Sequence, residues 1–221
     1  MITRTFFAAR RGDLTTEACL THWREHHSGI GARLPRVKRY VQNHGVLAGG
    51  RFLLPYPGFD IMPELDWDGL AEMDAAIDSP VHDKESVDDE AEFIDTSRTG
   101  YSVGTRHALI DGTPAEHAVK LITLIRQAPN ASLTNLVHTL TGPYAHAVAE
   151  VAPLRHEVIT ALPDRDGQPA FAVQAIDMVW FAGPEEALAW IASELASRAA
   201  WNLAGVALGT ERLIARPHRV V

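Results

Sequence analysis

His22-Trp23-Arg24-Glu25-His26-His27-Ser28-Gly29, followed by Leu34-Pro35-Arg36-Val37-Lys38-Arg39-Tyr40-Val41-Gln42-Asn43-His44, is the stretch on which the fold turns. Its first part belongs to an apolar stripe of Leu20, Trp23, His27, Ile30 and Leu34, spaced by three and four residues, as on a helix with one packed face. After Leu34-Pro35 the period falls to two, which marks a strand. The helix is expected over about 15–33, with Thr15 or Thr16 as its cap and Glu17 in its first turn. The strand is expected over 37–46. Working outward, a strand at 2–10 precedes this pair. A strand at 58–66, a helix at 68–78 with more helix to about 96, and a strand at 100–110 follow it. The order βαββαβ is the ferredoxin-like plan.

The plan recurs after the turn-rich Asp111-Gly112-Thr113-Pro114, which divides the chain into 1–112 and 113–221. The second half reads as strand 118–127, helix 132–151, strand 154–162, strand 170–181, helix 184–200 and strand 205–215. Gly142-Pro143 should break or bend its first helix. At a constant offset, Leu14-Thr15 meets Leu133-Thr134, His27 meets His146 and Arg36 meets Arg155. A ferredoxin-like sheet has one face under helices and one face bare. Two units in one chain can cover each other's bare faces, so the expected class is α+β, with two βαββαβ units pairing into an intrachain dimeric α+β barrel.

Composition narrows the function. The 221 residues carry 20 Lys+Arg against 28 Asp+Glu, a net charge of -8, which argues against a general nucleic-acid binder. No apolar run reaches the ~20 residues needed to span a bilayer, and the amino terminus lacks the apolar core of a signal peptide. A lone cysteine, Cys19, excludes an internal disulfide and multi-cysteine metal sites. His22 and His26 have a chelating spacing on a helix, but Glu25 stands in the wrong place for a His-Glu-x-x-His zinc motif, and they read as surface histidines. The acidic run Asp83, Glu85, Asp88, Asp89, Glu90 and Glu92 reads as a solvated helix face around core contacts Phe93 and Ile94. No glycine-rich phosphate loop or nucleophile elbow occurs. The expectation is a cytoplasmic protein with a small-molecule substrate, no nucleic-acid or membrane partner, no metal and no cofactor. Assembly stays open between a monomer and a homodimer of intrachain pseudo-dimers.

Strand alternation selects candidate site residues. Phe59, Ile61, Pro63 and Leu65 form an apolar side to meet the helices, and Asp60, Met62 and Glu64 face away from them. On the neighbouring strand Tyr40, Gln42 and His44 share one parity and are grouped with that polar side. This side is either an ordinary solvent-facing sheet surface or the wall of a cavity closed by the second half. Arg4 and Arg10 read as cations at a cavity mouth or as strand-end charges. His27 lies within the helix stripe, so it is either a core histidine bonded to the backbone or a neutral base.

These segments resemble the EthD family of the dimeric α+β barrel superfamily, with its tryptophan, a histidine four residues later, and an Arg-Tyr-x-x-x-His second strand. Phe59-Asp60-Ile61-Met62-Pro63-Glu64-Leu65 and Asp88-Asp89-Glu90-Ala91-Glu92-Phe93-Ile94-Asp95 resemble later motifs of the family. The likeness covers most of residues 1–110, and the second half follows only in outline. The resemblance implies a site at His27 and Tyr40, as in methylmuconolactone isomerases. It leaves three functions open. One is a cofactor-free acid/base enzyme of lyase, dehydratase or cyclase type acting on an aromatic or polyketide-like molecule. The second is a cofactor-free or haem monooxygenase of an aromatic substrate, and the third a non-catalytic binding protein. For the first, His27 or His44 is the base, Tyr40 the acid or oxyanion donor and Asp60 the orienter of a histidine. Arg4, Trp23, Gln42, Met62 and Glu64 contact substrate.

Overall fold

A computed structural model describes residues 1–162 and 173–221, and these divide into two compact units. The first unit contains Met1–Thr105 with Leu162 and Pro217–Val221, and the second contains Arg106–Ala161 and Val173–Arg216.

In the first unit β1 (Ile2–Arg10) leads to α1 (Thr16–His22), which continues through a π-helical turn (Trp23–His27) into α2 (Ser28–Gly31). Thr15 caps this run, its Oγ1 accepting from Ala18 N at 3.1 Å, a contribution of about 1 kcal/mol. Then come β2 (Arg39–Gly45) and a small hairpin of β3 (Leu47–Ala48) and β4 (Arg51–Phe52). The hairpin turns on Gly49 and Gly50 at φ 57° and 75°, the left-handed pair that a two-residue turn requires. After β5 (Pro63–Trp67), α3 (Leu70–Ile77) and a second π turn (Val81–Ser86) precede α4 (Val87–Phe93) and β6 (Ile94–Ile110). The sheet is antiparallel in the order β6-β1-β5-β2.

The second unit repeats the order: β7 (Val119–Gln127), α5 (Leu133–Thr139), a π turn (Leu140–Tyr144), α6 (Ala145–Ala149), β8 (Arg155–Ala161), β9 (Ala175–Phe181), α7 (Pro184–Ile191), α8 (Glu194–Leu203) and β10 (Ala207–Arg219). Its antiparallel sheet runs β10-β7-β9-β8. The eight long strands have the closed-barrel order β1-β5-β2-β10-β7-β9-β8-β6, so the chain is an α+β barrel. No helix among the described residues is long and apolar enough to cross a membrane.

Several boundaries differ from the sequence reading, each for a local reason. Gly142-Pro143 does not break the first helix of the second unit, because both residues fall inside the π turn. The wider turn accommodates the ring and the missing N–H. The helix expected over 184–200 divides at Ser193, whose Oγ accepts from Ala196 N at 3.1 Å and caps α8. The strand expected at 58–66 begins at Pro63, with only an isolated bridge from Ile61 to Ala8 before it. Of the strand expected at 170–181, residues 170–172 lie outside the described residues.

The register of β2 on β5 corrects the assignment of faces. Tyr40 stands opposite Leu65 and Gln42 opposite Pro63, while Arg39 stands opposite Asp66 and Val41 opposite Glu64. Directly opposed residues share a face, so Tyr40, Gln42 and His44 lie on the apolar, helix-facing side and not with Glu64. Tyr40 accordingly packs with Leu34, Leu65, Trp67, Met73 and Ala76. Trp67 is anchored there by Nε1 donating to Pro35 O at 3.0 Å.

Gly31 at the end of α2 is required by this packing, since a Cβ there would lie 2.5 Å from Tyr40 Cε1. Gly31→Ala is expected to destabilise the fold by about 1–3 kcal/mol through overpacking. Urea denaturation measures it, and Tyr40→Leu in the same background should recover part of the loss.

Candidate active site

The helix-facing side of the first unit's sheet carries Arg4, Phe6, Tyr40 and Tyr101. The strand register places Arg4 beside Leu65 and Val103, and Phe6 beside Tyr101. Above them run the π turn with Trp23 and His27, and α4 with Asp89 and Glu90. The π turn is closed by Ser28 N–H donating to Trp23 O. The same carbonyl accepts from Gln42 Nε2 at 2.8 Å, so strand and helix are joined at the turn itself.

Gln42 fixes its neighbours in orientation. Its Nε2 also donates to Tyr40 Oη at 2.9 Å, and its Oε1 is 2.9 Å from His44 Nε2. Because the amide oxygen only accepts, His44 carries its proton on Nε2. Tyr40 Oη therefore accepts one bond, and its own proton has no acceptor among the described residues. Burial raises the Tyr40 hydroxyl well above its ordinary value, with Gln42 and Trp23 opposing, so it remains a donor. Trp23 is fully buried, and its Nε1–H faces the Tyr40 hydroxyl closely enough to hold that group's pKa down, without completing a hydrogen bond. A buried indole N–H left unpaired, beside a phenol whose own proton has no acceptor, is unusual, because such groups are almost always paired.

His27 Nδ1 lies 2.8 Å from Asp89 Oδ2, and His22 Nε2 lies 3.0 Å from Asp89 Oδ1. Burial works against ionisation of Asp89, but the bonds from His27 and His22 outweigh it and hold its carboxyl below the ordinary range. An ionised carboxylate only accepts, so His27 donates from Nδ1. In the neutral ring Nε2 then keeps its lone pair. Next along α4, Glu90 accepts from Ser86 Oγ at 3.1 Å. Desolvation raises its carboxyl above the ordinary value, opposed in part by His27, Ser86 and Arg4. Arg4 lies 5.2 Å from the Tyr101 ring and 5.8 Å from that of Phe6. Its pKa is lowered by desolvation against the opposing charge of Glu90, although the side chain is only half-buried. Partial accessibility together with strong desolvation describes a cation in a recess.

Of the residues expected from sequence, Arg4, Trp23, His27, Tyr40, Gln42 and His44 come together here. Asp60, Met62 and Glu64 do not. Asp60 orients no histidine: it binds Arg10 N at 2.9 Å, Tyr56 Oη at 2.7 Å and Thr16 Oγ1 at 3.4 Å, tying the end of β1 to the start of α1. Glu64 lies on the opposite face, bound by Arg39 at 3.1 Å and Asn43 at 2.8 Å, and Met62 shares its parity. The orienting carboxylate is Asp89, and Asp89 and Glu90 were both hidden in a run read as solvated. A signal was present: they precede core Phe93 by four and three residues, spacings that share one helix face. Among the described residues no cluster of three His, Cys, Asp or Glu side chains is placed to hold a metal ion.

Residues 11–97 match the family model of the EthD domain. This likeness falls within the first unit, and solved structures similar to the whole chain share its α+β barrel fold. An anthrone oxidase-like protein is 11% identical, with a TM-score of 0.70 over 99% of this chain and 92% of its own. A putative monooxygenase from Fusobacterium nucleatum is 7% identical, with a TM-score of 0.61 over 98% and 91%. One from Lactobacillus acidophilus is 10% identical, with a TM-score of 0.50 over 100% and 94%. No curated protein matches the sequence.

Desolvation, with the nearby charges of Arg24 and His218, lowers the His44 imidazole from 6.5 to about 3. Between these values the folded chain binds fewer protons than the unfolded one. Stability is therefore lost as pH falls from about 6.5 toward 3, at up to ~1.4 kcal/mol per unit. Urea midpoints at pH 7, 5.5 and 4.5 should fall more steeply for the wild type than for His44→Gln.

Proposed function

We propose that the chain is an enzyme that removes a proton from a carbon activated by a neighbouring carbonyl, in a small aromatic or polyketide-like molecule. One observation carries the reading: a histidine held by a carboxylate, His27 on Asp89, stands on the same side of the sheet as the two uncommitted donors of Tyr40 and Trp23. His27 Nε2 takes the proton. The C–H electron pair moves to the carbonyl oxygen, and that oxygen receives the Tyr40 and Trp23 hydrogen bonds. A positioned base contributes ~10²–10⁴-fold and an oxyanion donor ~10²–10³-fold. Arg4 holds an anionic or electron-rich part of the substrate. Glu90, with its raised pKa, supplies a proton to a departing hydroxyl in a dehydratase or lyase, and in a cyclase the enolate carbon closes a ring. These steps need no resident cofactor. Residues 113–221 act in this reading as a degenerate second copy of the fold.

A second reading is favoured by the fold shared with the anthrone oxidase-like protein and the monooxygenase-like structures. The same enolate would meet dioxygen: anthrone and O₂ would give anthraquinone and one water.

Anthrone and related carbonyl-activated aromatics distinguish the two. Under nitrogen, NMR should show deuterium exchange at the activated carbon, slowed ~10²–10⁴-fold in His27→Gln and about 10²-fold or more in Asp89→Asn. Consumption of oxygen in step with product under air assigns the oxygenase. Exchange and turnover without oxygen uptake assigns the acid/base class. Exchange no faster than with free imidazole, and equal in wild type and His27→Gln, would leave the binding-protein reading.

A further inference from the structure

The second unit has its own arrangement of buried polar groups, unlike that of the first. Tyr144 in the π turn donates to Asp177 Oδ2 at 2.7 Å, and His156 Nε2 lies 2.7 Å from Asp177 Oδ1. All three are buried. Both Asp177 oxygens are thus engaged. Burial, with Asp177 close by, raises the Tyr144 hydroxyl well above its ordinary value. Tyr144 has committed its proton and can only accept, so it is no counterpart of Tyr40.

Beside it lies a cavity of about 210 Å³ between the helices and the sheet of this unit. Its polar wall includes Tyr144, Thr123 and Arg212, and its apolar wall includes Leu121, Trp190 and Leu203. Register explains the polar side: Arg212 stands opposite Thr123 on β7, and Thr123 opposite Asp177 on β9, so the three share a face. Arg212 is half-buried and makes no ion pair or hydrogen bond among the described residues. The neighbouring acid, Glu211, points to the other face and pairs with Arg126 at 2.9 Å. A dry cavity of ~150 Å³ accepts a benzene-sized molecule, so this one has room for a single ring and a charged head group.

We propose that this cavity is a second binding site, separate from the candidate active site, for a small monocarboxylate with a compact apolar or aromatic body. The carboxylate accepts from Arg212, whose planar fork matches it, and Thr123 adds a hydroxyl. The ring packs on Trp190, Leu121 and Leu203. With the Tyr144 proton held by Asp177, the site binds rather than catalyses.

4-Fluorobenzoate is the probe, followed by fluorine NMR and by intrinsic tryptophan fluorescence. The wild-type chain should bind it saturably, and the neutral isostere 4-fluorobenzamide about tenfold more weakly or worse. Arg212→Gln should lose about tenfold or more in affinity. Ala200→Leu offers a second route, because Ala200 lines the cavity from α8, on the wall facing the strands. Its leucine should block binding without touching Arg212. His27→Gln should bind as the wild type does. The proposal is overturned by absence of saturable binding, by equal affinity for acid and amide, or by retained affinity in both cavity variants. Loss of binding in His27→Gln overturns it too, by assigning the probe to the first unit.

Discussion

The pairing register of β2 on β5 is the constraint from which the rest of the first unit's chemistry follows. Side chains alternate along a strand, so a slip of one residue would exchange every inward group for an outward one. With Tyr40 opposite Leu65, the row Tyr40, Gln42 and His44 is driven under the helices, and Arg39, Val41 and Asn43 go to the other side. The charges hold this choice in place. Glu64 and Asp66 are fully buried on the far side, where Arg39 reaches both, at 3.1 and 3.3 Å. Reversing the register would leave these carboxylates among Leu65's apolar neighbours without their cation, and an uncompensated buried charge costs several kcal/mol.

Once Gln42 is beneath the π turn, its three hydrogen bonds organise the site. They join the helix carbonyl of Trp23, the phenol of Tyr40 and the imidazole of His44. A glutamine presents two donors and an acceptor in a fixed plane, so the direction of each proton follows from the partners. The consequence is a division of labour between the two histidines. His44 gives its Nε2 proton to Gln42, and burial lowers its pKa to about 3, so it is a poor base at neutral pH. His27 is instead oriented by an ionised carboxylate through Nδ1, leaving Nε2 unengaged.

How much of this was legible in sequence depends on whether a property is local. The βαββαβ order and most element positions follow from periodicity, which each segment carries by itself. Trp23, His27 and Tyr40 stand out for the same reason, since a polar group in an apolar stripe is visible without a partner. Which face Tyr40 takes is not local, because parity on β2 says nothing about parity on β5 until the two are paired. Asp60 illustrates the cost: it looked free to orient a histidine, but the tight link between β1 and α1 uses its oxygens on Arg10, Thr16 and Tyr56. Asp89 and Glu90 were missed through composition, as a dense acidic run resembles solvent-facing surface. The helix spacing to Phe93 was the better guide.

The two units each bury a tyrosine, on β2 in the first and in the π turn in the second, and its proton is directed differently in each. In the first, the buried tyrosine accepts from an amide and keeps its hydrogen for whatever enters. In the second, Tyr144 gives its hydrogen to Asp177, and the cavity beside it carries a cation, Arg212. A donor pair next to a carboxylate-held base suits an oxygen on which negative charge develops during reaction. A fixed cation beside an acceptor suits an oxygen that is already charged on arrival. On the proposed readings, the first arrangement favours the transition state over the ground state and the second does not. The same βαββαβ scaffold would then hold catalysis in one half and recognition in the other, with one buried tyrosine bound to an amide and the other to a carboxylate.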